Sequence, residues 1–385
     1  MKKYFLRGCT AVMCSAALLT GTAGYMPVYA ESENPVTNSA FDSDAKGWLL
    51  WHNYSDYSAL DSRLYLRNPD GQTEEITGDF IHAMNGSFGN SPDNITFMAI
   101  DSRADEWDIY IVENEKTVNL TQNSGYRNED PKWSPDGKSI VFKRGRWDHS
   151  VNDFVYNLAL LDVETREVIM LTDDLTEEAM PCFSSDGKII YYAGYKDGIG
   201  SIYAMDTESG ETTAIYSESG ITAYYPIVYG DNLYFTKWYS SDNHCDQLMV
   251  WDGRTIQSLP FNSDKYDCSD ICPIDGERMI FSSTMNGGYD LYCYDGTDIT
   301  AISELNTDKN ELGADFYSYD EYIRNNSIRG DVNADGSFNI ADALMLQKWI
   351  LGEGDIIDWK AGDLLDDSVI DAYDLCIMRR ELLLH

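Results

Sequence analysis

Near the C-terminal end, the run from Asp331 to Asp342 puts an oxygen-bearing side chain at almost every second place. Asp331, Asn333, Asp335, Ser337 and Asn339 come first, and Asp342 closes the run. Gly336 sits at the sixth place, where a loop wrapping an ion must turn sharply. Every side-chain donor in the set is oxygen, with no sulfur and no imidazole. That is the chemistry of a hard cation, and this spacing suits Ca²⁺, with the seventh residue giving its backbone carbonyl. One feature departs from the usual pattern: the twelfth place holds Asp342 rather than Glu, so the shorter side chain must be brought nearer the ion.

The run recurs 32 residues later, with Asp363, Asp367, Val369, Asp371 and Asp374 at the first, fifth, seventh, ninth and twelfth places. Val369 would serve through its carbonyl. Leu365 stands at the third place, where its side chain cannot ligate, and Ser368 replaces the glycine. Each loop leads into an apolar stretch with helical periodicity, and Met345, Leu346 and Ile350 match Ile377, Met378 and Leu382. Gly352 suits a helix stop. The stretch before the first loop, "EYIRNNSIR", shows no helical pattern, so each unit reads as a loop followed by one helix.

Two tandem calcium loop–helix units of this kind resemble a type I dockerin. The wording "DWKAGDLL…DLCIMRREL" is most similar to dockerins of ruminococcal cellulosomes. The resemblance implies two Ca²⁺ sites, a cohesin module of a scaffoldin as partner, and an extracellular, cellulosomal location. It also implies which residues meet the cohesin: Ile340, Ala341, Gln347 and Lys348 in the first unit, Ala372, Tyr373, Arg379 and Arg380 in the second. These two sets differ chemically, so one preferred docking orientation is expected.

Upstream, a different pattern repeats. "PKWSPDGKSIVF" from Pro131 places Pro and Gly where a type I turn wants them, between strand-like flanks. Weaker copies contain Asp93, Asp186, Asp231, Asp275 and Asp320. Measured from Asp93 through Asp136, the gaps are 43, 50, 45, 44 and 45 residues. About four short strands fit each repeat, the size of a propeller blade. The last copy lacks following strands and the chain start lacks a preceding hairpin, so a strand near Phe316 is expected to complete the first blade. The repeats resemble TolB-like, WD40-related six-bladed propellers. The expected fold is mainly β: residues 1–30 a signal peptide, 31–325 a six-bladed propeller, and 326–385 a small all-α calcium-binding dockerin.

Composition narrows the partners. The chain has 385 residues and a formal net charge of −37. Such acidity argues against nucleic acid and against anionic lipid, both of which need a basic patch. Lys2, Lys3 and Arg7 precede an apolar stretch, and Val28-Tyr29-Ala30 suits a cleavage site, so secretion rather than membrane insertion is expected. Six cysteines remain after that site: Cys182, Cys245, Cys268, Cys272, Cys293 and Cys376. Free thiols are expected, with one bridge among Cys245, Cys268 and Cys272 left open.

The propeller shows no catalytic signature. His52, His82, His149, His244 and His385 form no metal motif, and there is no nucleophile elbow. Two long connections, "KRGRWDHSVND" and "TKWYSSDNHCD", are rich in aromatics and cations. Arg144, Arg146, Trp147, His149, Lys237, Trp238, Tyr239 and His244 are therefore candidate ligand-binding residues at one funnel mouth. The favoured reading is a non-catalytic module recognising plant cell-wall polysaccharide or a surface protein. The alternative is a glycoside hydrolase or polysaccharide lyase with its active site on the funnel.

Overall fold

The computed structural model describes residues 45–384, apart from 102–105, 114–115, 174, 197 and 240–244. The expected signal peptide, Cys9, Cys14, His244 and His385 lie outside the described residues. The chain divides into two compact units, one ending at Phe316 and one running from Tyr317 to His385. Among the described residues, no helix is long and apolar enough to cross a membrane.

Among the described residues, the first unit contains four four-stranded antiparallel sheets and one eight-stranded sheet in which two four-stranded blades are joined. In the first blade, Asn310–Ser318 pairs with Gly47–Tyr54, followed by Arg63–Arg67 and Thr73–Glu75. The two ends of the propeller thus share one sheet, as the repeat pattern requires, and neither end leaves that blade with an unpaired inner edge. Five further blades open on the strands Phe80–Phe88, Arg127–Trp133, Glu177–Phe183, Ile221–Tyr229 and Cys268–Pro273. The fourth and fifth blades also touch through one parallel pair, Gly200 with Thr222.

The hairpin turns follow the sequence. Gly137 N–H donates to the Ser134 carbonyl at 2.9 Å, and Gly187 repeats this with Ser184 at 2.9 Å. Asp136 and Asp186 each accept from the backbone of the lysine two places on, at 3.1 Å. The copy at Asp320 departs from this pattern. It lies in a helix, Tyr319–Asn326, because Ser318 caps the N-terminus and Asp320 and Glu321 occupy the first turn.

In the first strand of blades two to six, the register slips by a bulge. Asn85, Asp130, Met180, Tyr225 and Asp270 take φ between 49 and 56° there, and Gly313 takes 62° in the first blade. A bulge bends a strand and re-aims its groups, and here the re-aimed groups bond from blade to blade. Asn85 Nδ2 donates to Asp130 at 2.8 Å, and Gly313 N–H donates to Asp270 at 3.1 Å. Apolar packing lies between blades, as where Met98, Ile109 and Ile111 meet Ile140, Phe142 and Leu161.

The second unit has four helices: α1 (Tyr319–Asn326), α2 (Ile340–Ile350), α3 (Trp359–Gly362) and α4 (Ala372–Leu382). Helix α1 corrects the expectation that the stretch before the first loop is not helical. It is short and mostly polar, with Ile323 its one buried residue, so capping and end charges help carry it. Between α2 and α4 lies a core of Val332, Ala343, Leu346, Leu364, Ile370, Leu375 and Met378. Val332 with Leu364, Ala343 with Leu375 and Leu346 with Met378 are matched positions of the two repeats, so each half contributes the same face to one shared core.

Candidate functional site

The two acidic loops are built alike, bond for bond. Asp331 accepts from the N–H groups of Asp335 at 3.2 Å and Gly336 at 2.8 Å. Asp363 accepts from Asp367 at 3.1 Å and Ser368 at 2.8 Å. Asp342 accepts from Asn333 at 3.2 Å and Asn339 at 2.9 Å, and Asp374 from Leu365 at 3.1 Å and Asp371 at 2.9 Å. Asn339 and Asp371 cap α2 and α4, each within a capping box. The twelfth-place aspartates thus close the loop and start the helix together.

The loops also differ, and two of the differences bear on the third and sixth places. Asn333 gives and takes a bond with Asp335, at 2.9 Å each way, and Leu365 can make neither. Gly336 and Ser368 both take positive φ, 83° and 63°, so serine holds a conformation that favours glycine.

Asp331, Asp342, Asp363 and Asp374 are all buried. Among the described residues no lysine or arginine pairs with them. Burial, and the like charges of Asp331 and Asp335, hold Asp342 above the ordinary carboxylate range, against the N–H groups of Asn339 and Asn333. Buried carboxylates without a cation are costly, and an oxygen-only donor set suits Ca²⁺. The loops therefore fit calcium in chemistry. Among the described residues no three acidic, histidine or cysteine side chains already converge as a cage; the carboxylates rest on the loops' own N–H groups.

The helix positions expected to meet a partner lie at the surface. Ile340, Ala341, Lys348, Ala372, Tyr373, Arg379 and Arg380 are exposed and Gln347 is half-buried. Arg379 donates to Gln347 across the helix pair at 2.5 Å. Arg329 braces the far side, donating to the Leu364 carbonyl at 2.6 Å and lying 3.7 Å from Glu381.

On the propeller, the candidate residues that lie on described strands divide by strand alternation. Arg144 and Arg146 lie over Tyr126, with guanidinium carbons 4.2 and 5.4 Å from the ring centroid. Trp147 points to the other face of the same strand. Lys237 lies 4.9 Å over the Tyr239 ring, while Trp238 packs into the fourth and fifth blades. His149 sits on an exposed turn.

Trp147 belongs to a cavity of about 300 Å³. Its aromatic lining is Tyr57, Trp147, Phe154 and Tyr156, and its polar lining is Arg127, Glu129 and Lys143. Lys143 Nζ is 2.8 Å from Glu129 and 3.7 Å from Glu177, and Arg127 is 2.7 Å from Glu129. The Lys143 ammonium also lies 4.2 Å over the Tyr156 ring. Against the cost of burial, Lys143 and Arg127 hold Glu129 below the usual carboxylate range, and Glu129 and Glu177 hold Lys143 well above its own. Sequence reasoning singled out only Trp147 of this set. The signal was the alternation Lys143-x-Gly145-x-Trp147, which puts all three on one face. A Cβ on Gly145 would fall inside the Tyr156 ring, so glycine is what lets that wall close.

All six described cysteines are free, which closes the question of a bridge among Cys245, Cys268 and Cys272. His52 and His82 are buried and pushed down to about 3 and about 4, chiefly by burial.

Residues 329–383 match the family described as Dockerin type I domain. Dockerin domains bind cohesin modules and occur in extracellular cellulosome components, and those of type I bind calcium. Among solved structures, TolB from Acinetobacter baumannii is similar at a TM-score of 0.55 and 16% identity, covering 71% of this chain and 67% of that one. Hydrazine synthase of Kuenenia stuttgartiensis gives 0.57 and 13%, over 75% of this chain and 50% of that one. A chain of the nidogen/laminin complex gives 0.51 and 8%, over 70% and 98%. At these identities the likeness shows the fold alone. No curated protein matches the chain. The chain joins a TolB-like propeller to a dockerin region.

Proposed function

We propose that this protein is a secreted component of a cellulosome-type complex. Its C-terminal unit docks on a scaffoldin cohesin, and its propeller recognises glycan during plant polysaccharide breakdown. The dockerin match over 329–383 carries this reading. The repeated bonding of the two loops supports it, since each twelfth-place aspartate ties a loop to the helix that would face a cohesin.

Calcium, when bound, supplies the positive charge that the buried aspartates lack. Asp331, Asn333, Asp335, Ser337, Asn339 and Asp342 would hold one ion. Asp363, Asp367, Val369, Asp371 and Asp374 would hold a second. Ile340, Ala341, Gln347 and Lys348 on α2 face the partner in one orientation, and Ala372, Tyr373, Arg379 and Arg380 on α4 in the other. Ala341 is matched by Tyr373 and Gln347 by Arg379, so the two orientations are unequal.

The test is cohesin binding by the full chain in calcium and in EGTA, with Tyr373→Ala and Gln347→Ala compared. Binding that needs calcium and weakens unequally in the two variants is expected. Calcium-independent binding, or equal losses from either helix with full rescue by the other, counts against the proposal.

A further inference from the structure

We infer that the cavity of the third blade binds an uncharged sugar unit. This rests on the reading of the propeller as a recognition module. The cavity, about 300 Å³, lies at the small end of the range for small-ligand sites, which is about 300–1,000 Å³.

Its walls are of two kinds, set side by side. Trp147 is 42% exposed and stands edge-on to Phe154 at 5.6 Å, and Phe154 stacks on Tyr156 at 5.8 Å. A continuous aromatic wall of this sort suits the apolar face of a sugar ring. Beside it, with the Lys143 ammonium over the Tyr156 ring, Lys143 and Glu129 are each 2% exposed, and both are pinned by ion pairs. Groups so fixed lose little freedom when a ligand arrives.

The charges decide the class of ligand. Arg127 and Lys143 are balanced by Glu129 and Glu177. A uronate or an amine would upset that balance, whereas hydroxyl groups would not. A donor is also left over: Arg127 Nε is buried without a hydrogen-bond acceptor among the described residues, and its nearest carboxylate, on Glu106, stands 3.6 Å away. A hydroxyl oxygen would satisfy it.

The experiment is calorimetric titration of the full chain, in calcium, with oligosaccharides of β-glucan, xylan and mannan and with oligogalacturonate. Trp147→Ala and, as a control on the other strand face, Arg146→Ala are titrated alongside. A neutral glycan should bind, and Trp147→Ala should weaken it about thirtyfold, the loss expected of an aromatic anchor, while Arg146→Ala changes little. Tighter binding of oligogalacturonate overturns the ligand class. Glycan binding that Trp147→Ala leaves intact overturns the site while the recognition reading stands. Cohesin docking with no glycan bound at all overturns both the site and the glycan reading.

Discussion

Glu129 in the propeller and Asp342 in the C-terminal unit are both carboxylates taken almost wholly out of water, at 2% and 0% exposure. The two regions treat the charge in opposite ways. Glu129 meets an ammonium and a guanidinium from its own blade and is held below the usual range. Asp342 meets backbone N–H groups and two like charges and is held above it. The third blade balances the Glu129 charge with its own chain. The C-terminal unit leaves Asp342 without a cationic partner among the described residues, a charge state that a bound cation would balance.

The largest expected effect follows directly. Withdrawing calcium should unfold the second unit and spare the first. An ion present at a thousand times its dissociation constant stabilises a fold by about 4 kcal/mol, and a unit with one small core between two 11-residue helices has little else to lose. In hydrogen exchange, amides of α2 and α4 should lose protection on adding EGTA, while those of Ser139–Asp148 keep it. Equal protection of both helices in either condition would erase the contrast between the two regions.

Asp270, like Asp130, Asp246 and Glu311, departs from the pattern of Glu129 and sharpens the comparison. It is buried on the bulge, where it accepts from the Ser269 hydroxyl and the Gly313 N–H, and burial pushes it up to about 6 against those bonds and the charge of Lys132. A carboxyl raised in the folded state favours folding while protonated. Its contribution is therefore fully present below about pH 4 and is lost as pH rises through about 6. Asp270→Asn should leave the propeller's melting temperature near that of the parent at pH 4 and raise it by several degrees at pH 7.5. The limit set by the shift is about 3 kcal/mol. A gain that does not depend on pH would mean that the ionised aspartate costs nothing.

How much of this could be read from the chain depended on whether a feature is local. Turn residues such as Pro135 and Gly137 act within four residues, so the hairpins and the closing strand near Phe316 were legible. The turn geometry of the two acidic loops was legible for the same reason, down to the positive φ at Gly336 and Ser368. Helix α1 was missed because it is only eight residues long and mostly polar, and its cap and end charges leave no long apolar stripe to read. The cavity was missed because Tyr57 comes from the first blade while Arg127 and Lys143 come from paired strands of the third, and no local pattern reports that approach. Strand alternation could have separated Arg146 from Trp147 beforehand; loop composition alone could not.

The smallest effect tests whether the two halves of the second unit differ in backbone as well as in ligands. Nothing lies within 4 Å of a Cβ built on Gly336, so a side chain there meets only the strain of its 83° φ. Ser368 already bears that strain at 63°. A left-handed non-glycine residue costs about 1 kcal/mol, part of which glycine returns by freeing the unfolded chain. Ser368→Gly should therefore lower the calcium midpoint of the second loop by up to about fivefold, and Gly336→Ser should raise that of the first by a similar factor. Both can be followed by NMR at the Gly336 or Ser368 amide, which reports its own loop alone. If both substitutions leave the midpoints where they were, backbone strain drops out and the missing Asn333 pair alone separates the second loop from the first.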